Sequence, residues 1–498
     1  MPAQARAAWA LHLGAMWGLR TDPARVEALA AKVKAVSDAR TVRFQALGFI
    51  RPNGKENSSA VKRRVAVAYG ASGLCPKCGG TGRAPSLKSG NPVSCGPRNF
   101  LGEATCDGTG LDLSTALALP RTDKGAVSAD RDTLTESGDD VLIDYGDNEI
   151  EKIRETHVPF LRQGTEVPIT LRPNVLVASG RTSYDGLIQL LPRGGGVREC
   201  FVARPGFVFC SVDYVGLELC TLAQVCLDIL GESTLAEEIN AGLDLHSVLA
   251  ASFTGVSYET FLENLKGSDA KKWKGYRQAA KALNFGAPGG MGAQKLVLAK
   301  RCEGLRFCVV LEGAECGREK ITEWKGRVTA PLCKRCVELA EDLRTCWFTQ
   351  RPEMKRYFAH VSRITDIEGD IEQLRSGRIR GGCGFCDGAN TYFQGLAADG
   401  AKHALWKVSE ECHTDPTSPL WGTHPVVFAH DEIIAETPEA TAHLAGLRMA
   451  EVMIAAMREF VPDVRISAEP CLMKNWYKDA EPVYKDGKLI PWEKTDGI

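Results

Sequence analysis

Nowhere in this chain do about 20 apolar residues run uninterrupted, so no membrane-crossing helix is expected. Net charge is scarce: 61 Lys and Arg stand against 62 Asp and Glu, a formal −1. That balance neither supports nor excludes a nucleic-acid partner, because such a protein need only gather its positive charge into a groove. A cleavable leader is not legible either. MPAQARAAWALHLGAMWGLRTD carries arginines inside its mildly apolar run, lacks a small-residue cleavage site and reads as a helix. No segment repeats at a fixed period. What is present is an ordinary soluble composition, 44% hydrophobic and 25% charged, over 498 residues, enough for two to four domains. Without a leader, a cytoplasmic location is expected, with the 18 cysteines reduced and their clusters pointing to metal before disulfide.

Asp22-Pro23 reads as a helix N-cap with proline in the first turn, and Val26, Leu29, Ala30, Val33 and Val36 follow at helical spacing. A cysteine-rich segment and polar loops extend to about residue 150. The run FVFCSV, 207–212, is apolar throughout and ends at Asp213, the pattern of a short buried strand with an acid at its C-terminal end. Leu219, Leu222, Ala223, Cys226, Leu227 and Leu230 then mark an amphipathic helix. Residues 251–400 read as mostly helical with cysteine-bearing insertions. Residues 426–429 form a second apolar strand and 433–436 can return beside it, with His430, Asp431 and Glu432 at the turn, although Asn-Gly chemistry is absent.

Two acids at strand ends suit phosphoryl transfer, which needs carboxylates on rigid elements holding two metal ions about 3.5–4 Å apart. Taken singly, an Asp after a strand is more often a cap or turn residue. Between the two acids lies RQAAKALNFGAPGG, in which Arg277, Lys281 and Phe285 share one helical face. Two cations one turn apart suit a triphosphate and an aromatic beyond them can pack on a base. A solvated basic face with Phe285 in the core is the plainer alternative.

The order and spacing of SVDYVGLEL, RQAAKALNFGAPGG and VFAHDEII resemble motifs A, B and C of family A DNA polymerases. SGRTS, IQLLPR, VRECFVARPG, DLH (244–246), SGRIRG (376–381) and NTYFQGLAAD (390–399) resemble further segments of that family in the family's order. The resemblance covers roughly residues 170–480. It implies an α+β right hand: an antiparallel-sheet palm, helical fingers and a thumb. Its boundaries would be an N-terminal helix and thumb-like region at 1–170, palm at 171–250 and 401–498, and fingers at 251–400. It implies template-directed addition of deoxynucleoside monophosphate to a primer 3′-hydroxyl, with dNTPs and primer-template DNA as partners and two Mg²⁺ held by Asp213, Asp431 and the carbonyl of Tyr214.

Further roles follow from the same resemblance. Glu432 would lie near the primer end and His430 on the primer backbone. Arg277 and Lys281 would hold the triphosphate, with Lys281 as proton donor to pyrophosphate. Phe285 would pack on the incoming sugar and base, and His246 would sit near the triphosphate. Arg181, Gln189, Asn390 and Gln394 would contact the template-primer. Glu218 would block a ribose 2′-hydroxyl, which favours DNA over RNA. Two departures matter. Gly289-Gly290 stands where the family has Tyr-Gly, predicting lower base selectivity, and motif A reads DYVGLE where the family has DYSQIE. The stretch before the palm also lacks room for the proofreading exonuclease, so none is expected here; a separate exonuclease or replication factors could supply it. An RNA- or primer-synthesising polymerase and a non-catalytic nucleic-acid binder are the alternatives. A phage-type enzyme, in a bacterial or phage-infected cell, is expected by analogy.

Cys75, Cys78, Cys95 and Cys106 form two ligand pairs in a segment whose CPKCGGTG and CDGTG resemble the zinc repeats of DnaJ-type chaperones. Four thiolates suit structural zinc. Cys308, Cys316, Cys333 and Cys336 form a second set, with Cys302 as the alternative to Cys308. Cys383 and Cys386 are a C-x-x-C without an obvious partner pair, and Cys200, Cys210, Cys220 and Cys226 read as core.

Overall fold

The computed structural model describes residues 2–86, 89–96, 105–116, 118–317, 319–367 and 369–494; of residues 2, 3, 302, 328 and 329 it describes only the backbone. The run FVFCSVDY forms strand β1 (Phe207–Tyr214), and its unbroken apolarity has a cause: both of its faces are covered. Val208, Cys210, Val212 and Tyr214 belong to one core and Phe209 to another. Strand alternation puts Ser211 and Asp213 on the face of Phe209.

Around β1 stand β2 (His424–Ala429), β3 (Glu432–Pro438), β4 (Ala468–Met473), β5 (Val483–Lys485) and β6 (Lys488–Trp492), in the order β2-β3-β1-β4-β6-β5. All neighbours are antiparallel except β4 and β6. One face packs on helices introduced here as α3 (Leu217–Leu230), α8 (Phe385–Thr414) and α9 (Ala442–Arg458). That core continues without interruption into a helical subdomain of α4 (Leu245–Thr254), α5 (Ala270–Gly286), α6 (Ala293–Cys302) and α7 (Lys334–Gln350).

Helix α1 (Pro2–Trp17) lies against β2 and α8. It approaches so closely that a Cβ on Gly14 would meet the Pro425 carbonyl oxygen at 2.2 Å. Helix α2 (Pro23–Ala46) starts as expected, with the Asp22 carboxylate accepting from the Arg25 amide at 3.0 Å. Val26, Leu29 and Val33 cover the second sheet face, whereas Val36 is 41% exposed because it lies off the buried stripe, which continues through Ser37. At 24 residues α2 spans about 36 Å. Its far end, Phe44, enters a separate core with Phe49, Val61, Val65, Leu134 and Leu142. The chain returns to the sheet through Val158–Glu166. The result is an arm carrying a distal module, and the first cysteine set lies on that module.

Candidate active site

The β2–β3 hairpin closes with Ala429 opposite Glu432, leaving His430 and Asp431 as a two-residue turn. Such a turn demands a left-handed residue, and His430 supplies it at φ +64°. Glu432, read from sequence as a turn residue, is the first residue of β3 and stands opposite Asp213 in the register with β1. Its carboxylate accepts from Ser211 Oγ at 2.6 Å and from Lys478 Nζ at 2.7 Å. The Lys478 ammonium also lies 3.8 Å from Asp213 Oδ2. Lys478 was not singled out from sequence, since it falls in no periodic pattern and no motif.

Asp213 Oδ1 is buried without a hydrogen-bond partner. Burial and the charge of Glu432 push the Asp213 carboxyl up to about 6, against the relief given by Lys478. Burial and Asp213 push Asp431 up to about 7, with Glu218 adding to the shift. An orphaned carboxylate oxygen beside mutually repelling acids is a donor set that could hold a cation. Tyr214 turns its side chain away, its hydroxyl donating to the Met453 carbonyl at 2.6 Å, so only its backbone is left for a ligand.

Past Tyr214, Gly216 takes φ +63° and turns the strand into α3. Glu218 in the first turn pairs with Arg181. Across the cleft, Asp244 caps α4, accepting from the His246 amide at 3.2 Å, and also holds Arg277 of α5 at 2.6 Å. Asn284 bonds His246 Nδ1 at 3.0 Å and receives the Trp347 indole N–H at 3.0 Å. This network, of which sequence showed only Asp244, His246 and Arg277, fixes α5 to α4. Burial, with Arg277 and Lys281 nearby, holds His246 down to about 4, hence neutral. Lys281 and Phe285 are exposed on the face of Arg277, and the Phe285 ring lies 5.6 Å from that of His246.

At the end of α5, a Cβ on Gly289 would meet the Asn390 amide at 2.6 Å, and one on Gly290 would meet the Phe385 ring at 3.0 Å. The space beside these glycines is therefore occupied from α8. Asn390 donates to the Cys386 carbonyl at 2.7 Å, Gln394 lies 3.5 Å from Asn390 Oδ1, and Gln189 donates to the Thr182 carbonyl at 2.8 Å.

Both four-cysteine sets converge, the Sγ atoms of each lying within 4.8 Å of one another. The nearest pair, Cys308 and Cys336, is 3.3 Å apart, far beyond disulfide length, and the described cysteines are free thiols. Backbone amides of Gly82, Gly110 and Gly317 point at Cys78, Cys106 and Cys333 from 3.3, 3.3 and 3.4 Å. Thiols so arranged could hold a metal ion. The Cys302 side chain lies outside the described residues. Cys383 is buried and Cys386 exposed.

Residues 170–303 match the family model for DNA polymerase family A. The chain is 26% identical to DNA polymerase I of Chloroflexus aurantiacus over 314 residues, 60% of this chain and 28% of that protein. It is 26% identical to the thermostable DNA polymerase I of Thermus aquaticus over 281 residues, 55% and 29% of the two chains. It thus matches less than a third of these relatives' length. A solved structure, the POL domain of Pol1 from M. smegmatis in complex with DNA primer-template and dNTP, superposes with a TM-score of 0.58 at 17% identity, covering 95% of this chain and 69% of that one. No helix among the described residues is long and apolar enough to cross a membrane. The matched segment and the similar relatives make residues 170–303 a segment similar to family A DNA polymerases, and the solved structure shares the fold.

Proposed function

We propose that the chain is a template-directed DNA polymerase that adds deoxynucleoside monophosphate to a primer 3′-hydroxyl. The observation that carries this reading is the β3–β1 register, which sets Glu432 opposite Asp213 with Asp431 at the adjoining turn. Asp213, Asp431 and the Tyr214 carbonyl would hold two divalent ions, in the family's manner Mg²⁺. Bound there, the ions would supply charge to activate the primer hydroxyl and neutralise the leaving group. Arg277, released from Asp244, and Lys281 would engage the triphosphate, and Lys281 would give pyrophosphate its proton. Neutral His246 sits beside them without adding charge, and Phe285 packs on the incoming sugar and base. Glu218, pinned by Arg181, fills the space a ribose 2′-hydroxyl would need. Arg181, Gln189, Asn390, Gln394 and His430 meet the primer-template, and Glu432 faces the primer end.

The two cysteine sets are assigned structural zinc, each four thiolates closed by N–H···S contacts. The reading includes no proofreading exonuclease within these residues. Primer extension with dNTPs or NTPs, with Asp431→Ala as control, tests it. Extension by wild type with dNTPs, lost in the variant and weak with NTPs, is expected. Equal use of NTPs would favour the primer-synthesising alternative, and no extension would favour a binding protein.

A further inference from the structure

The arm and distal module do not end in solvent. At the tip, the buried Arg301 at the end of α6 donates to the carbonyl of Glu136, on the module, and to that of Pro331, on the fingers, the latter at 2.9 Å. Arg306 pairs with Asp140 at 2.6 Å. The fit is close: a Cβ on Gly138 would come within 2.9 Å of Arg301 Nη1.

This junction differs in kind from the others. Palm and fingers share one continuous apolar core, and the arm's base is buried in the palm's second face. The distal core, by contrast, takes no residue from the fingers among the described residues. Arginine bonds and an ion pair join the two bodies, beside a cavity of about 260 Å³ that Gly138 and Asp140 line from the module and that Arg301, Arg306 and the thiols of Cys316, Cys333 and Cys336 line from the fingers. Palm, arm, distal module and fingers therefore form a closed circuit with three apolar or covalent joints and one polar joint. Asp213 lies on the sheet face that the arm's base also covers, and Arg277 and Lys281 lie on the fingers. The reactive groups are thus bordered by the members of that circuit.

We infer that the polar joint is a latch, which opens to admit duplex DNA and closes to encircle it, retaining the template between additions. The inference rests on the polymerase reading. It needs no partner protein, because both halves of the latch belong to this chain. An apolar joint would not serve, since parting it would expose hydrophobic surface at every opening.

The test is a charge swap. Asp140→Arg sets two cations face to face, and the double variant Asp140→Arg/Arg306→Asp restores an opposite pair. Product length per binding event is read on a primed single-stranded circle, with heparin trapping released enzyme, beside the rate of single-nucleotide addition. Asp140→Arg is expected to shorten products about two- to fivefold, the double variant to recover them, and single addition to stay unchanged in both. Equal product lengths in all three proteins, or no recovery in the double variant, overturns the latch. If wild type adds no nucleotide, the polymerase reading fails, and the latch is read instead by retention at rising salt. Closed circular duplex outlasting linear duplex, more so in wild type than in Asp140→Arg, supports it; equal loss of the two overturns it.

Discussion

Asp213 is held as a carboxylate at a cost that a bound cation would relieve. One of its oxygens is buried and unpartnered, and Lys478 reaches the other only at 3.8 Å. Asp213→Asn should therefore raise the melting temperature of the metal-free protein at pH 8, by about 1–3 °C, while abolishing extension. Mg²⁺ should stabilise wild type and leave the variant unmoved, as thermal denaturation with and without the ion would show. Gly289 yields a second prediction. Sequence comparison casts it as a missing tyrosine, but the neighbouring Asn390 amide fills the position even of a Cβ. Gly289→Tyr should accordingly destabilise the protein by about 1–3 kcal/mol, and Asn390→Gly in the same chain should recover part of it in denaturant titrations. Asp213 and Gly289 were legible because each sits inside a motif. Lys478 was not, because an ion pair across a cleft leaves no local pattern.

Among the elements, β1 and the β2–β3 hairpin were the easiest to read, since burial leaves an apolar run with an acid at its end, whereas β4, β5 and β6 were not read from sequence. Helix α1 was legible as a helix but not as a partner of β2, because nothing in its sequence says which surface its small residues meet. That contact carries its own titration. His424 of β2 stacks on Trp17 of α1, ring centroids 3.5 Å apart and nearly parallel. Burial, with His413 and Arg204 nearby, pushes His424 down to about 4. A histidine whose folded value lies below its unfolded 6.5 contributes stability that is whole above pH 6.5 and lost as pH falls toward 4. Between pH 7.5 and 5 the wild type should lose about 1 kcal/mol through this ring, allowing for its partial exposure. His424→Phe should show a flatter acid slope in urea melts at the two pH values.

At the level of the whole molecule, the distal module has its own apolar core and its own thiol set, tied to the rest by α2, the return helix and polar contacts. It should unfold separately, so denaturation is expected to depart from a single two-state step. Cys78→Ser should move the earlier transition and leave the later one in place, whereas chelation, acting on both thiol sets, should move both, a result followed by circular dichroism with metal content measured alongside. Sequence displayed both cysteine sets but not that the bodies bearing them touch: the bridge is Arg301, whose acceptors are backbone carbonyls at 136 and 331, and backbone carbonyls exist in every sequence.

The clasp of Gly14 on the Pro425 carbonyl has a temporal side. A ribosome releases helix α1 some four hundred residues before the strand that shelters it. Strand β1 likewise waits for both of its neighbours, which follow it by more than two hundred residues. The nascent chain must therefore carry an uncovered helix and a lone sticky strand until those later strands are made. Its yield in a cell should hinge on whatever shields the two segments in the meantime.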